Sequence, residues 1–537
     1  MVSSPLKHIV FVPGPPWGHL RPGMKTALRL VEKFQDLFIS LFVYDTELNK
    51  AIKYLSAQPS AYTRRIRIVT ESSNGGPAVS HNDMSEAIMA LEAAFSSWIT
   101  KEVQQASILQ VDAQPVNAPC LIIEDLFTAG VSLVSKEMHK LPVVGWWLMP
   151  AGSLVAILKV LIIDQEQSVS KGLPLSGAQS EHSLTEASRI DRQESFDRLV
   201  SVPGIPPHYE WEFATQDVPD MQLFIAFLST RLANMMKHVE TVFCCTTFEM
   251  EPIVAAALSG TFGKPMKTFF VGPSVDLIPP HLPDPSSPVT QFLDRAYTDN
   301  GAHSVIYISF GTLFFPLPSS TPHLMAALDE IPKAGLRFVF ALSSANATLD
   351  KSWMDGHVQA GNAIFPEWTN QTAVLEHPVS SSDFFVSFAV SYIPPLLSRR
   401  AISPQAIHYF LSHGGWNSST EAIVRGVPMI FWPMAADQPM NSIQIATVHD
   451  CGFELLQVRT GPAKSTAYRN GAEVEIAGTE DAVRAEMKRI LKMSKGLRGK
   501  HQRMNVRMLG QVVVDSLGPG GSGDIALGNL GQAIGLV

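Results

Sequence analysis

Short, wholly apolar runs of β-type residues alternate with helical stretches through most of this chain, and they come in two series. Ile9–Val12, Leu37–Val43, Leu121–Ile123, Val143–Leu148 and Thr241–Cys245 make the first. Val305–Ser309, Phe338–Leu342, Ala406–Leu411 and Met429–Trp432 make the second. A strand without polar alternation is buried on both faces, and strands separated by helices pair in parallel, so each series reads as a parallel sheet covered by helices. Between them lies Pro273–Gly301, whose stretch Pro279–Pro288 is dense in proline and reads as an interdomain linker. The expectation is α/β, with two Rossmann-like parallel-sheet domains facing each other across a cleft. A length of 537 residues accommodates this, since a domain takes roughly 100–200.

Composition removes several classes of protein. Hydrophobic residues make up 46% and charged residues 17%, against about 25% usually, which excludes a disordered chain. A net charge of -8 and a pI near 6.1 argue against nucleic acid as a partner. The four cysteines, Cys120, Cys244, Cys245 and Cys451, form no CxxC pair, so a reducing compartment is expected and a structural metal site is not. Met1–His8 runs into Ile9–Val12 with no signal-peptide pattern, and the expected location is cytoplasmic. Val143–Ile163 is long enough to span a membrane, but Pro150-Ala-Gly-Ser153 divides it, so a buried strand followed by a core helix is expected and no integral span. Peripheral membrane contact stays open. Asp164–Ser195, rich in Ser, Gln and Glu, reads as a surface loop.

Two strand ends carry chemistry. Phe410-Leu-Ser-His-Gly-Gly-Trp-Asn-Ser-Ser-Thr-Glu421 is a strand, a glycine pair and a helix starting near Asn417 or Ser418. Free N–H groups and the dipole at a helix N-terminus receive phosphate, Gly414 and Gly415 permit close approach, and His413, Asn417 and Ser418 add donors. The competing reading is a capping box, Ser418-x-x-Glu421. Phe431-Trp-Pro-Met-Ala-Ala-Asp-Gln-Pro439 ends the next strand on the same sheet edge, where Asp437 and Gln438 suit vicinal hydroxyls; alternatively Asp437 is an N-cap. In the first half, Pro13-Gly-Pro-Pro-Trp-Gly-His-Leu-Arg-Pro22 is a tight loop presenting His19, and Glu124-Asp125 closes a parallel strand. Neutral imidazole suits general-base work, and an adjacent carboxylate fixes its tautomer. Glu124 competes with Asp125 for that role, and Asp125 alternatively caps the turn before Leu126.

The run from His413 to Gln438 resembles the signature segment of the family 1 UDP-dependent glycosyltransferases, which have the GT-B fold. His413, Gly415, Trp416, Asn417, Ser418, Glu421, Gly426, Val427, Pro428, Pro433, Asp437, Gln438 and Asn441 match its pattern. Gly18-His-Leu-Arg-Pro22, Thr247-Phe-Glu-Met-Glu-Pro252, Phe270-Val-Gly-Pro273 and Gly520-Gly-Ser522 are similar to further family segments. The resemblance implies an acceptor-binding domain over residues 1–272, a linker over 273–302 and a UDP-sugar-binding domain over 303–500. Residues 501–537 would form a C-terminal helix packing back on the first domain. It also implies that His413, Asn417, Ser418 and the Thr312 hydroxyl hold the diphosphate, that Glu421 takes the ribose, and that Asp437 and Gln438 take the sugar. His19 would be the base, oriented by Asp125. The family's segment opens on Trp-x-Pro-Gln, whose Trp stacks on uracil; the nearest match before His413 is Tyr392-Ile-Pro-Pro395, which makes Tyr392 the expected platform.

The implied reaction is an inverting, metal-independent transfer from a UDP-sugar, UDP-glucose by default, with no further cofactor. The acceptor expected is a hydroxyl of a lipophilic small molecule (terpenoid, phenolic, polyketide or sterol). Met84, Met89, Phe95, Trp98, Trp146, Trp147, Met149, Trp211 and Phe213 lie in the variable parts that would line its pocket, Trp146-Trp147 foremost. The alternatives are a UDP-sugar binding protein without transferase activity, and a UDP-sugar epimerase or hydrolase on the same fold.

Overall fold

The computed structural model describes all of the chain except residues 1–3, 73–76, 78, 81–82, 105–108, 159–197, 220, 278–283, 378–404 and 462–464. The expected loop Asp164–Ser195 therefore lies outside the described residues. Strands β1 (Leu6–Val12), β2 (Leu37–Phe42), β3 (Ile66–Val69), β4 (Gln114–Asp125), β5 (Val143–Trp147), β6 (Thr241–Cys244) and β7 (Lys267–Phe270) build the first sheet. Strands β8 (Val305–Ser309), β9 (Arg337–Ala341), β10 (Ala363–Ile364), β11 (Ile407–Ser412), β12 (Met429–Phe431) and β13 (Gly452–Glu454) build the second. All these strands pair in parallel, in the orders β7-β6-β5-β4-β1-β2-β3 and β10-β9-β8-β11-β12-β13.

Each order starts in the middle of the sheet, runs to one edge and then returns to the other side. This doubly wound arrangement leaves a crevice between β1 and β4 in one sheet and between β8 and β11 in the other, the switch points where such folds bind ligands. Burial explains the apolar runs. Every residue of β2, β8 and β11 is buried, because helices cover both faces. Sequence reading missed β3, β7, β10 and β13, which are short strands at or near the sheet edges with too few apolar residues to stand out. Val143–Ile163 divides as expected into β5 and a helix over residues 151–158, and among the described residues no helix is long and apolar enough to cross a membrane.

The helices that matter for the site are α1 (Trp17–Lys33), α2 (Met221–Met235), α3 (Gln371–Glu376), α4 (Trp416–Val424), α5 (Gln438–Ile443), α6 (Leu497–Leu517) and α7 (Ser522–Ala533). Helix α7 returns to the first sheet: Asp524 pairs with Lys33 at 2.6 Å, and the Leu536 carbonyl beyond it accepts from Lys7 Nζ at 3.0 Å. An arm from the first half, the hairpin Leu199–Val202 and Ile205–Tyr209 with the turn after it, lies against the second half. Trp211 packs there with Leu456, Ala467 and Ile476.

Candidate active site

The loop after β1 owes its shape to Pro13, Pro15 and Pro16, and α1 begins directly after it at Trp17. It brings His19 to the end of β4, where His19 Nδ1 lies 2.6 Å from Asp125 Oδ2. The carboxylate is held from two more sides. The Gly14 N–H donates to Oδ2 at 3.0 Å and the Phe127 N–H to Oδ1 at 3.0 Å. Asp125 thus makes the turn contact considered for it and orients His19 as well. An ionised carboxylate accepts only, so Nδ1 carries the proton and Nε2 is left as the basic nitrogen. Glu124 is excluded as the orienting group. It is wholly buried on the far face of β4, away from His19, and burial pushes its carboxyl well up against the opposing pull of Ser132.

The phosphate-type end sits at the β8–β11 switch point. Helix α4 starts at Trp416 and has Gly415 as its N-cap with no side-chain cap. The capping-box reading is overturned, since Ser418 and Glu421 lie inside the helix and the N-cap position, Gly415, has no side chain to close it. His413 is packed between glycines: a Cβ at Gly415 would come 2.5 Å from its Nε2, and one at Gly311, where φ is +78°, would come 3.1 Å from its ring. Burial lowers the His413 imidazole to about 4, so at neutral pH it is uncharged and offers one N–H. Thr312 follows Gly311 at the end of β8 and is exposed.

The two ends meet. Pro22 lacks an N–H, so the helical partner of the Gly18 carbonyl, four residues earlier, is missing. Asn417 Nδ2 donates to that carbonyl at 2.6 Å from the other domain. The Trp416 side chain is spent on the same junction: its indole N–H donates to the Cys245 carbonyl at 2.7 Å and its ring is buried, so of this residue only the backbone N–H at the start of α4 is left to face a ligand. Arg21, two residues beyond His19, ion-pairs with Glu421. Glu421 also accepts from Gln371 Nε2 at 2.8 Å, and the same amide reaches Ser418 Oγ at 3.2 Å. Nothing in the spacing of Arg21 singled it out.

Asp437 stands at the N-cap position of α5, but its side chain caps nothing. It accepts from Asn441 Nδ2 at 2.6 Å. Gln438 folds its Oε1 back onto the N–H groups of Met434 and Ala435, at 2.9 and 3.2 Å, which secures the turn in which Ala436 holds φ +60°. Burial raises the Asp437 carboxyl to about 6, opposed by the Asn441 amide and by His19 across the cleft. A carboxyl raised in the folded state stabilises it fully below the unfolded value of 3.8, and that stability is lost as pH rises through about 6. Asp437→Asn is therefore expected to remove up to about 2–3 kcal/mol of the stability difference between pH 4.5 and pH 7, read from denaturation midpoints. An unchanged pH slope would show that the carboxyl is ionised throughout.

Tyr392 lies outside the described residues. A Trp and a Gln at the family's spacing occur earlier, in Trp368-Thr-Asn-Gln371. Trp368 is 69% exposed, while the neighbouring Thr369 hydroxyl is tied to Tyr307 of β8 at 2.8 Å and the Asn370 side chain caps α3. The motif stands 45 residues before His413, separated from it by a long insertion relative to the family's spacing.

The aromatic residues expected around an acceptor are mostly core. Trp146 and Trp147 are buried on β5 and donate to Cys245 Sγ at 3.0 Å and the Pro150 carbonyl at 2.8 Å. Phe95 and Trp98 pack on Phe42, and Trp211 belongs to the arm. The aromatic wall beside His19 is formed instead by Phe127, 4.4 Å from the imidazole centroid, and by Phe224 of α2 behind it at 6.5 Å.

Residues 403–460 match the family model described as "UDP-glucoronosyl and UDP-glucosyl transferase". A UDP-glycosyltransferase of Hericium erinaceus, eriJ, is 25% identical over 528 residues, covering 94% of this chain and 93% of that protein. An anthocyanidin 3-O-glucosyltransferase of Zea mays is 26% identical over 345 residues, covering 62% of this chain and 59% of that one. The solved structure of Phytolacca americana UGT2, complexed with UDP-2fluoro-glucose and pterostilbene, superposes with a TM-score of 0.67 at 21% identity, covering 99% of this chain and 100% of that one.

Proposed function

Because the chain belongs to the UDP-glycosyltransferases and has the GT-B fold, we propose that it transfers glucose from UDP-glucose to a hydroxyl of a lipophilic small molecule with inversion at the anomeric carbon. That it is an enzyme moving sugar from a UDP-sugar onto small molecules follows from the family; the donor sugar, the acceptor class and the catalytic roles are our reading. The observation carrying it is the hydrogen-bonded pair His19–Asp125 abutting an uncapped helix N-terminus across the cleft. His19 Nε2 takes the acceptor proton as the oxygen attacks, and Asp125 stabilises the imidazolium that forms. The first N–H groups of α4, the His413 N–H and the Thr312 hydroxyl receive the negative charge left on UDP, so the reaction needs no metal. Direct displacement converts an α-linked donor into a β-glycoside.

Glu421 has acceptor positions left beyond Arg21 and Gln371, and these suit ribose hydroxyls. Asp437 retains its other oxygen and Gln438 its amide N–H groups for the sugar. The Phe127–Phe224 wall supports an apolar, ring-bearing acceptor such as a phenol or terpenoid. Trp368, not Tyr392, is our choice for the uracil platform. Stacking of a base on an aromatic ring contributes roughly 1–3 kcal/mol, so Trp368→Ala should raise the UDP-glucose KM by on the order of tenfold with little change in kcat, and Trp368→Phe should recover part of it. An unaltered KM would return the role to another residue.

The test of the whole reading is UDP release from UDP-glucose with and without a panel of hydroxylated terpenes and phenols, in the presence of EDTA. Acceptor-dependent release and a β-linkage by proton NMR are expected. Release without acceptor would indicate hydrolysis, and a product retaining the α configuration would exclude direct displacement.

A further inference from the structure

At the N-terminal edge of the second sheet, about one strand length, or roughly 17 Å, from the donor site, lies a cavity of about 690 Å³. Its polar lining is His303 and His408, at the feet of β8 and β11, with Lys495, Lys500, Arg503 and Arg507; no acidic residue lines it among the described residues. Residues 500, 503 and 507 follow the spacing of a single helix face, so α6 stacks three cations where like charges repel. The nearby acids are engaged elsewhere: Asp450 takes Arg498 at 2.6 Å and His501 at 3.3 Å, and Asp299 takes Arg337 at 2.8 Å.

Arg503 is the informative member. Its Nη2 donates to the His408 carbonyl at 2.7 Å and approaches His408 Nδ1 at 3.3 Å, while its Nη1 is buried with no acceptor. Because arginine only donates, His408 Nδ1 must accept, and Nε2 then donates to Ser494 Oγ at 2.9 Å. His408 is therefore neutral, and so is His303, which donates its Nδ1 proton to the Ile407 carbonyl at 3.1 Å and is lowered to about 4 by burial. Desolvation, with the charge of Arg507 behind it, pulls the Arg503 guanidinium down to about 10; Tyr409, whose ring centroid lies 5.8 Å away, opposes this, and among the described residues no carboxylate pairs with it. A half-buried guanidinium whose Nη1 is buried without an acceptor among the described residues, flanked by cations that have no carboxylate partner there, is completed by an anion. The mouth is apolar, formed by Met504 and Met508, 52% and 63% exposed.

We propose that this cavity binds a multiply charged organic phosphate, with Arg503 as the inner anchor, Lys500 and Arg507 as outer clamps, and the two methionines against the apolar part of the ligand. The volume matches an organic ligand and far exceeds a single inorganic ion. A soluble organophosphate and the headgroup of an anionic phospholipid share this chemistry.

The test uses the full chain with the donor site saturated by UDP, so that phosphate binding there is blocked. Pyrophosphate is titrated calorimetrically, and phosphatidylcholine vesicles with and without phosphatidylinositol 4-phosphate are tested by co-sedimentation. Saturable pyrophosphate binding is expected, weakened at least tenfold by Lys500→Ala with Arg507→Gln, while kcat and the UDP-glucose KM of that variant stay at wild-type values. Both substitutions are at exposed positions, so the result does not depend on the fold tolerating loss of Arg503. Co-sedimentation only with the phosphoinositide, competed by pyrophosphate, identifies a lipid source; pyrophosphate binding without co-sedimentation identifies a soluble one. Absence of both, or binding that the double substitution leaves intact, overturns the proposal.

Discussion

His19→Ala is expected to lower kcat for glycosyl transfer by about 10²–10⁴-fold, with the UDP-glucose KM within a few-fold of wild type. Among the described residues the imidazole's side-chain partner is Asp125, and the proposed donor-side groups sit on the other domain, so the substitution should remove the proposed base without dismantling the donor site. Asp125→Asn keeps the side chain's size but takes away its charge, and should lose most of the same rate through the wrong tautomer and a destabilised imidazolium. Wild-type turnover in His19→Ala would refute the assignment outright.

The second large effect lies in the arm. Glu212→Ala should destabilise the protein by about 3–5 kcal/mol, because it leaves a wholly buried arginine short of its partner. Glu212 accepts from Arg459 at 2.7 Å and Arg469 at 2.7 Å, and from the N–H groups of Tyr209 at 2.9 Å and Tyr468 at 3.1 Å. Glu454 meets the same two arginines at 2.5 and 2.8 Å, and the Arg459 guanidinium lies over Trp211, 5.5 Å from the ring centroid. Burial alone would raise the Glu212 carboxyl; the two guanidiniums more than reverse this and hold it below its ordinary value. Thermal and urea unfolding of Glu212→Ala, Arg459→Met and the double variant will show it, with the double variant less damaged than the sum of the singles. Just beyond Glu212, the Thr215 hydroxyl donates to the Pro433 carbonyl at 2.8 Å, so loosening the arm should also raise the donor KM through the turn carrying Asp437. A loss below 1 kcal/mol would mean that water replaces the missing carboxylate.

Sequence and structure agree where the determinants are local. The apolar runs become strands because full burial on both faces demands them, and the glycine pair before Trp416 marks a helix start because no side chain fits beside His413. They part company where neighbours in space are far apart in the chain. Ser418-x-x-Glu421 has the form of a capping box, yet the helix begins two residues before Ser418 and Glu421 turns to Arg21. Trp146 and Trp147 look like pocket residues from their place at a strand end, but helices close over both faces of β5 and they become core. Trp368 is far from His413 in the chain, so spacing does not mark it, whereas β8 holds its segment in place through Tyr307 and Thr369.

By itself, then, the sequence determined two doubly wound sheets, the strand ends that carry chemistry, and His19 and Asp125 as the residues meeting at one of them. Backbone preferences and burial act over a few residues, so spacing along the chain encodes them. Only the tertiary structure decided how the two halves engage. Residue 417 donates to the carbonyl at 18, Glu421 finds Arg21, and Arg503 of the last long helix donates to the His408 carbonyl. Those contacts join positions 95 to 400 residues apart and depend on how the sheets and the last helices dock, which short-range spacing does not record.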